Sequence, residues 1–290
     1  MAETSIEWAT KVWNPVVGCS VISPGCTNCY AMRMAGRLER MGSPIYKGLT
    51  QKTKAGDVWT GKVEESNWGK MIEPLGWRKP QRVFVNSMSD LFHENLPDKT
   101  IDKVFAVMAL CPQHTFMVLT KRAGRMREYL TARNGMGNAA LCRAINDIPF
   151  GLGNRHGALQ MPLPNCWLGV STENQATADE RVPDLLATPA AVRFVSAEPL
   201  LSEIDFAKWA DRTEAGRFHA EPILDMIIAG SESGPRARPC DVEWVRSIKN
   251  QCVSAGVAFF YKQAATAKGK KIPLPELDGR TWDQFPEVNL

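Results

Sequence analysis

The sequence predicts an α/β protein built on parallel strands, and two observations carry that expectation. From Arg82 to Tyr261, short apolar runs alternate with helical patterns of about 10–15 residues, as parallel strands joined by right-handed crossovers require. Nearly every strand then ends in small or polar residues: Asn86, Ser87, Ser89 and Asp90; Thr120 and Lys121; Ser171, Thr172 and Glu173; Ser196 and Glu198; Gly230 and Glu232; Lys262 and Gln263. An open doubly wound sheet and a partial barrel share the alternation. The polar ends favour the barrel, where they would converge on one face. Helix N-capping explains some of the hydroxyls, but not Lys121, Glu173, Glu198, Glu232 and Lys262 at equivalent places.

The chain has 290 residues, 44% of them hydrophobic and 23% charged, enough to bury a core, and it reads as a single domain. Residues 1–42 predict a first strand, a cysteine-bearing loop and a helix. Within them, Trp13 to Gly18 predicts a short strand or extended entry, with Pro15 at an edge or a strand start. Pro24-Gly25 is a turn signal, and Ala31 to Met41 a helix closed by Gly42. Residues 43–80, with Trp59, Trp68 and Trp77 among Gly, Pro and Lys, predict an irregular excursion with no core of its own.

Residues 81–263 predict the β/α core. Its strands are Arg82 to Asn86, Thr115 to Thr120, Cys166 to Ser171, Val192 to Ser196, Asp225 to Gly230 and Val257 to Tyr261. The helices between them run from about Asp98, expected as a cap, to Leu110, from Ala123 to Thr131, from Asn174 to Ala187 and from Asp241 to Ala255. Residues 134–164 predict an insertion with a short helix at Ala139 to Ile145, and 264–290 a C-terminal tail.

Before that core lies the main chemical signal, Cys19, Cys26 and Cys29 in a C-x6-C-x2-C pattern. Three thiolates in one loop can hold an iron–sulfur cluster with one metal atom left without a protein ligand. They can also serve zinc completed by a distant fourth ligand, or stay unliganded. No further Cys or His lies close by in sequence, the nearest being Cys111 and His93. A helix opening just behind them is expected to favour thiolate over thiol. The first residues lack a basic stretch followed by an apolar run, and no apolar segment nears the ~20 residues that span a bilayer, so a cytoplasmic protein without membrane contact is expected. In that compartment Cys111, Cys142, Cys166, Cys240 and Cys252 predict small buried residues rather than disulfides.

The net charge of +4 does not announce a nucleic-acid protein. Local basic clusters at Arg78-Lys79 with Arg82, Lys121-Arg122, Arg236 with Arg238, and Lys268 with Lys270-Lys271 each read first as solvated faces.

Longer motifs carry a resemblance. The stretches Trp13 to Cys19, Ser23 to Ala31, Val85 to His93, Leu119 to Arg122, Leu168 to Ser171 and Gly230 to Pro239 resemble the three-Cys-motif family common in bacteriophages and prophages, from about Trp8 to Gln263. That family is similar to the radical S-adenosylmethionine enzymes. Those usually space their cysteines C-x3-C-x2-C with an aromatic before the last, whereas six residues fill the first gap here and Tyr30 follows the last.

The resemblance implies a partial (β/α) barrel of parallel strands, radical-SAM-like, with irregular insertions. It also implies a [4Fe–4S] cluster on Cys19, Cys26 and Cys29, S-adenosyl-L-methionine on the fourth iron, an electron donor, and the host cytoplasm if the protein is phage-encoded. Chemistry suits Asn86, Ser87, Ser89 and Asp90 to the methionine amino group, and Lys121 to its carboxylate. Ser171, Thr172 and Glu173 suit ribose hydroxyls, and Gly230 a close approach of adenine. Glu198, Glu232 and Lys262 are left for the substrate, expected to be a nucleotide or nucleic acid, with a modified pyrimidine of phage DNA as the sharper form. Two other classes stay open: a zinc-containing nucleic-acid-binding module, and a cluster-bearing partner protein without turnover.

Overall fold

Strand order separates the two architectures that the alternation allows. The computed structural model describes residues 4–54, 56–134, 138–148, 159–210, 223–234 and 236–287. In chain order its elements begin with β1 (Lys11–Trp13), β2 (Val16–Val17), α1 (Tyr30–Arg40), β3 (Thr50–Thr53), β4 (Gly56–Trp59), β5 (Glu64–Glu65) and α2 (Trp68–Met71). They continue with β6 (Arg82–Val85), α3 (Asp98–Ala109), β7 (Thr115–Thr120), α4 (Ala123–Arg133), α5 (Ala139–Asn146), β8 (Cys166–Ser171) and α6 (Gln175–Ala187). The last are β9 (Val192–Ala197), α7 (Ala207–Ala210), β10 (Met226–Gly230), α8 (Val242–Ala255), β11 (Ala258–Ala265) and β12 (Lys271–Pro273).

One eight-stranded sheet runs in the order β1-β6-β7-β8-β9-β10-β11-β12. Its pairs are parallel up to β11, and β12 returns antiparallel. A doubly wound sheet would reverse its order at a switch point, whereas neighbours that follow strictly along the chain send every right-handed crossover to the same face. The sheet is therefore a curled half-barrel with its helices outside.

Period-two alternation divides the strands between two cores. Val83, Phe116, Leu168, Val195, Ile227 and Phe259 face out and pack with helix residues such as Val104, Phe105, Val182 and Ile248. Met117, Trp167, Phe194, Met226, Ile228 and Phe260 face in, where Trp8 closes the hollow against Phe84 and Phe194. The inward residues next towards the strand ends are Leu119, Ser171, Ser196 and Lys262. Alternation thus turns the polar strand ends into the lining of the upper hollow.

Several boundaries depart from expectation. Asn14 and Pro15 break the expected Trp13–Gly18 strand: β1 starts earlier, at Lys11, and pairs with β6, while β2 pairs with β5. Residues 43–80 do contribute to a core, for Leu49 and Trp59 pack with Ala31, Met32 and Ala35 of α1. Asp98 is the first residue of α3 rather than its cap, and it ion-pairs with Arg125 and Arg133. Asn174 and Asp241, expected as the first residues of their helices, are instead their N-caps, the first in a capping box with Thr177.

The last core strand runs on to Ala265, which brings Lys262 and Gln263 into the sheet. The tail is seated on the sheet: Trp282 packs against Phe259, and Phe285 against Phe260 and Trp167. Of the insertion, residues 135–137 and 149–158 lie outside the described ones, while α5 sends Leu141 and Ile145 into the outer core. Among the described residues no helix is long and apolar enough to cross a membrane.

Candidate functional site

Two adjoining cavities open at the C-terminal ends of the strands. The first, about 200 Å³, is lined by Cys19, Cys26 and Cys29 together with Trp59, Phe84, Asn86, Ser87, Ser89, Asp90, Lys121 and Arg122. The second, about 210 Å³, runs down to Trp8 and is lined by Ser196, Glu198, Glu232, Lys262 and Gln263. Cys29, Tyr30, Phe84, Leu119, Lys121 and Ser171 belong to both.

Gly18 starts the cysteine loop at φ +93, and a side chain there would run into the Lys62 carbonyl, so only glycine fits. Three strand ends then tie the loop down. At Cys19, Arg122 Nη1 stands 3.9 Å from Sγ and 3.0 Å from Asp90 Oδ2, while its Nη2 donates to Ser20 Oγ at 2.8 Å. His93 accepts from the Asn95 N–H through Nδ1 at 3.1 Å, so Nε2 carries the proton and donates to Ser20 Oγ at 2.8 Å. A histidine so held is a donor and not a general base for Ser20.

The Cys26 segment rests on Glu173. Ser23 Oγ donates to Glu173 Oε1 at 2.7 Å, and that fully buried carboxylate also pairs with Lys121 and Arg181. Burial would raise the Glu173 carboxyl, but Lys121 and Arg181 hold it below its ordinary value. Beyond β10, Asn28 Nδ2 donates to Glu232 Oε2 at 3.0 Å and to the Arg236 carbonyl at 2.9 Å. Arg238 pairs with Glu232 and donates to the Pro24 carbonyl at 2.9 Å.

The strand-end residues do meet at this mouth, but many are committed to each other. Asp90 accepts four hydrogen bonds, from Phe92 N, Thr120 Oγ1, Lys121 N and Arg122 Nη1. Ser87 Oγ donates to Asn14 Oδ1, Ser89 Oγ donates to the Val16 carbonyl, and Lys121 Nζ donates to Ser171 Oγ. Thr172 and Glu173 are wholly buried beneath the mouth and line neither cavity. The space above Gly230, expected to admit adenine, is taken by the Glu198 carboxylate. Glu198 Oε2 accepts from Ser196 Oγ at 3.1 Å and Lys262 Nζ at 3.2 Å, while its buried Oε1 makes no hydrogen bond but lies 3.2 Å from the same Lys262 Nζ as an ion pair. Asn86 is held at φ +61 with its Nδ2 likewise buried and unpartnered. Such a backbone, uncommon outside glycine, is the strain that binding sites concentrate.

The helix end pulls Cys29 in the expected direction, but burial outweighs it. Burial pushes Cys19 up to about 12, with Asp90 adding to it and Arg122 opposing. Burial also raises Cys29, against the pull of the Met32 and Ala31 N–H groups. The three thiols line one cavity without converging: among the described residues no group of three or more Cys, His, Asp or Glu is placed to hold a metal ion. The donor set still suits a soft metal cluster, with three thiols on one cavity wall, an unpartnered Asn86 amide, and Lys121 and Arg122 to balance their charge on ionisation.

Sequence reasoning passed over Asn14, Ser20, Ser23, Asn28 and Arg33, and read Arg238 only as part of a basic cluster. Ser20, Ser23 and Asn28 lie within three residues of a cysteine, yet partner spacings of more than 70 residues hid their roles. A curled parallel half-barrel with a cysteine loop strapped across its C-terminal mouth is the class that fold and site define. The chain belongs to the family DUF5131, described as a protein of unknown function, whose model matches residues 3–286. No curated protein and no solved structure matches it.

Proposed function

We propose that the protein is a radical S-adenosylmethionine enzyme in which Cys19, Cys26 and Cys29 hold three irons of a [4Fe–4S] cluster and the second cavity takes the substrate. The observation that carries this reading is the lining of one cavity by all three thiols, at the C-terminal mouth of a curled parallel sheet. When bound, such a cluster supplies the single electron that cleaves the carbon–sulfur bond of S-adenosylmethionine, and the resulting carbon radical takes hydrogen from substrate.

The chain's own part is placement and exclusion. Arg122 and Lys121 set positive charge beside the ionised thiols, and Asp90 and Glu173 keep those cations fixed. Asn86 Nδ2 is the donor left for the carboxylate of S-adenosylmethionine. Trp59, Phe84 and Leu119 supply apolar walls that keep water from the reacting atoms. Glu198 and Lys262 orient a substrate that offers both a donor and an acceptor.

Anaerobic purification and metal analysis test the reading. About four irons per chain and a brown protein absorbing near ~400 nm are expected. Cys19→Ala, Cys26→Ala and Cys29→Ala should each lose the iron, while Cys111→Ala, in the outer core, keeps it. Dithionite with S-adenosylmethionine should yield 5′-deoxyadenosine. Zinc in place of iron would defeat the proposal, and iron without 5′-deoxyadenosine would leave a non-catalytic cluster protein.

A further inference from the structure

The cations inside the mouth are spent, and those on its rim are not. Lys121 pairs with Glu173, Lys262 with Glu198, Arg122 with Asp90 and Glu94, and Arg238 with Glu232. Arg33, Lys54, Arg236, Lys268 and Lys270 make no ion pair among the described residues. Four segments far apart in sequence bring these five to one side of the opening. Gly234 donates its N–H to the Gly269 carbonyl at 2.8 Å, which seats the turn bearing Lys268 and Lys270 against the segment bearing Arg236. A Cβ on Gly234 would stand 3.0 Å from Arg33 Nη1 on α1, and one on Gly56 3.4 Å from Arg236 Nη2, at the hairpin turn that carries Lys54. Arg33 also lines the second cavity, beside Tyr30, a residue 49% exposed where the two cavities meet.

We infer that this rim binds the phosphate backbone of a nucleic acid, with one nucleotide reaching into the second cavity. The cavity holds about 210 Å³, below the ~300 Å³ of a drug-sized site, so its occupant is small. A free phosphorylated metabolite of that size would want several cations within the cavity, whose inner cations Lys121 and Lys262 are each already paired with a carboxylate, leaving only Arg33 unpaired among the described lining residues. Unpaired cations outside a small, partly apolar cavity instead suit a ligand whose charge lies outside while an uncharged ring lies inside. A polynucleotide with one base turned out of its stack has that form. Tyr30 offers the base a stacking face, and the adjacent Glu198 acceptor and Lys262 donor match the N–H and C=O edge of a base. An acidic protein would satisfy the rim but gives no reason for the cavity behind it.

The identity of the substrate rests on the proposed reaction, but the binding does not, so the two can fail separately. Fluorescence anisotropy with the full chain, metal-loaded and metal-free, measures affinity for labelled single-stranded DNA, duplex DNA and RNA between about 50 and 200 mM salt. The logarithm of affinity should fall linearly with the logarithm of salt concentration. Arg236→Ala/Lys268→Ala/Lys270→Ala should flatten the slope by about 2, at ~0.7 per single-strand phosphate contact. A charge-matched control, Arg127→Ala/Lys208→Ala/Lys249→Ala on the outer helices, should leave the slope unchanged. Absence of binding at low salt to any of the three nucleic acids overturns the inference. So does a slope that the rim variant leaves intact, or equal binding of polyglutamate, which would mark a surface for acidic proteins. Binding by a chain found to hold zinc would sustain this inference while the radical reading falls.

Discussion

Glu232 was expected among the groups that touch substrate, yet its carboxylate lines the second cavity while holding Arg238 and Asn28. Burial would raise it, but the Arg238 side chain and N–H, with the Asn28 amide, keep it below its ordinary value. A carboxyl depressed in the folded state contributes stability that is complete above the unfolded value near ~4.3 and is lost as pH falls through the folded one. Glu232→Gln should therefore cost about 2 kcal/mol near neutral pH, with the gap to the parent closing in acid. Urea denaturation of both proteins across a pH series measures this, and a gap of constant size would contradict it. Proximity in sequence could not reveal the role, because Asn28 and Glu232 stand 204 positions apart.

At the level of elements, β8 shows how one small residue makes room for a ring on the neighbouring strand. Gly169 faces inward, and a Cβ there would press into the Phe194 ring of β9 at 2.5 Å. The glycine lets Phe194 fill the hollow while Trp167 and Ser171 keep their inward places. Gly169→Ala should cost ~1–3 kcal/mol by overpacking, and Phe194→Leu in the same chain should recover part of that loss. Double-mutant denaturation gives the coupling, and additive losses would show that the two residues do not share this space. As a short apolar run, β8 was readable as a strand beforehand. The glycine read only as one more apolar-run residue, since its partner lies on a different strand.

Across the whole molecule, the chain closes on itself at the foot of the barrel. Trp282 is 7% exposed, stacks on Phe259 edge to face, and donates its indole N–H to the Leu277 carbonyl at 3.0 Å. Residues expected to form a plain tail are thus part of the sheet's support. Trp282→Ala should cost ~3–5 kcal/mol, a thermal or chemical denaturation measurement. A loss under ~1 kcal/mol would mean that the tail is only laid on the surface.

The sequence by itself determined the class of fold, most of the core strands to within a residue or two, and the strand ends that meet at the mouth. It could do so because apolar periodicity and polar terminations are local patterns that burial enforces on one element at a time. Only the tertiary structure decided which mouth residues are spent and which are free. Asp90 and Glu173, chosen as ligands for a cofactor, turned out to be saturated by Arg122, Lys121 and Arg181, while Asn86 kept an unpartnered amide. Likewise Lys121 and Arg122 read as a basic cluster equal to Lys268 and Lys270, yet the first two are held in ion pairs with acids and the last two, among the described residues, are not. The reason is physical: the availability of a charged group depends on which charges fold against it, and those partners come from strands whose separation along the chain leaves no trace in local pattern.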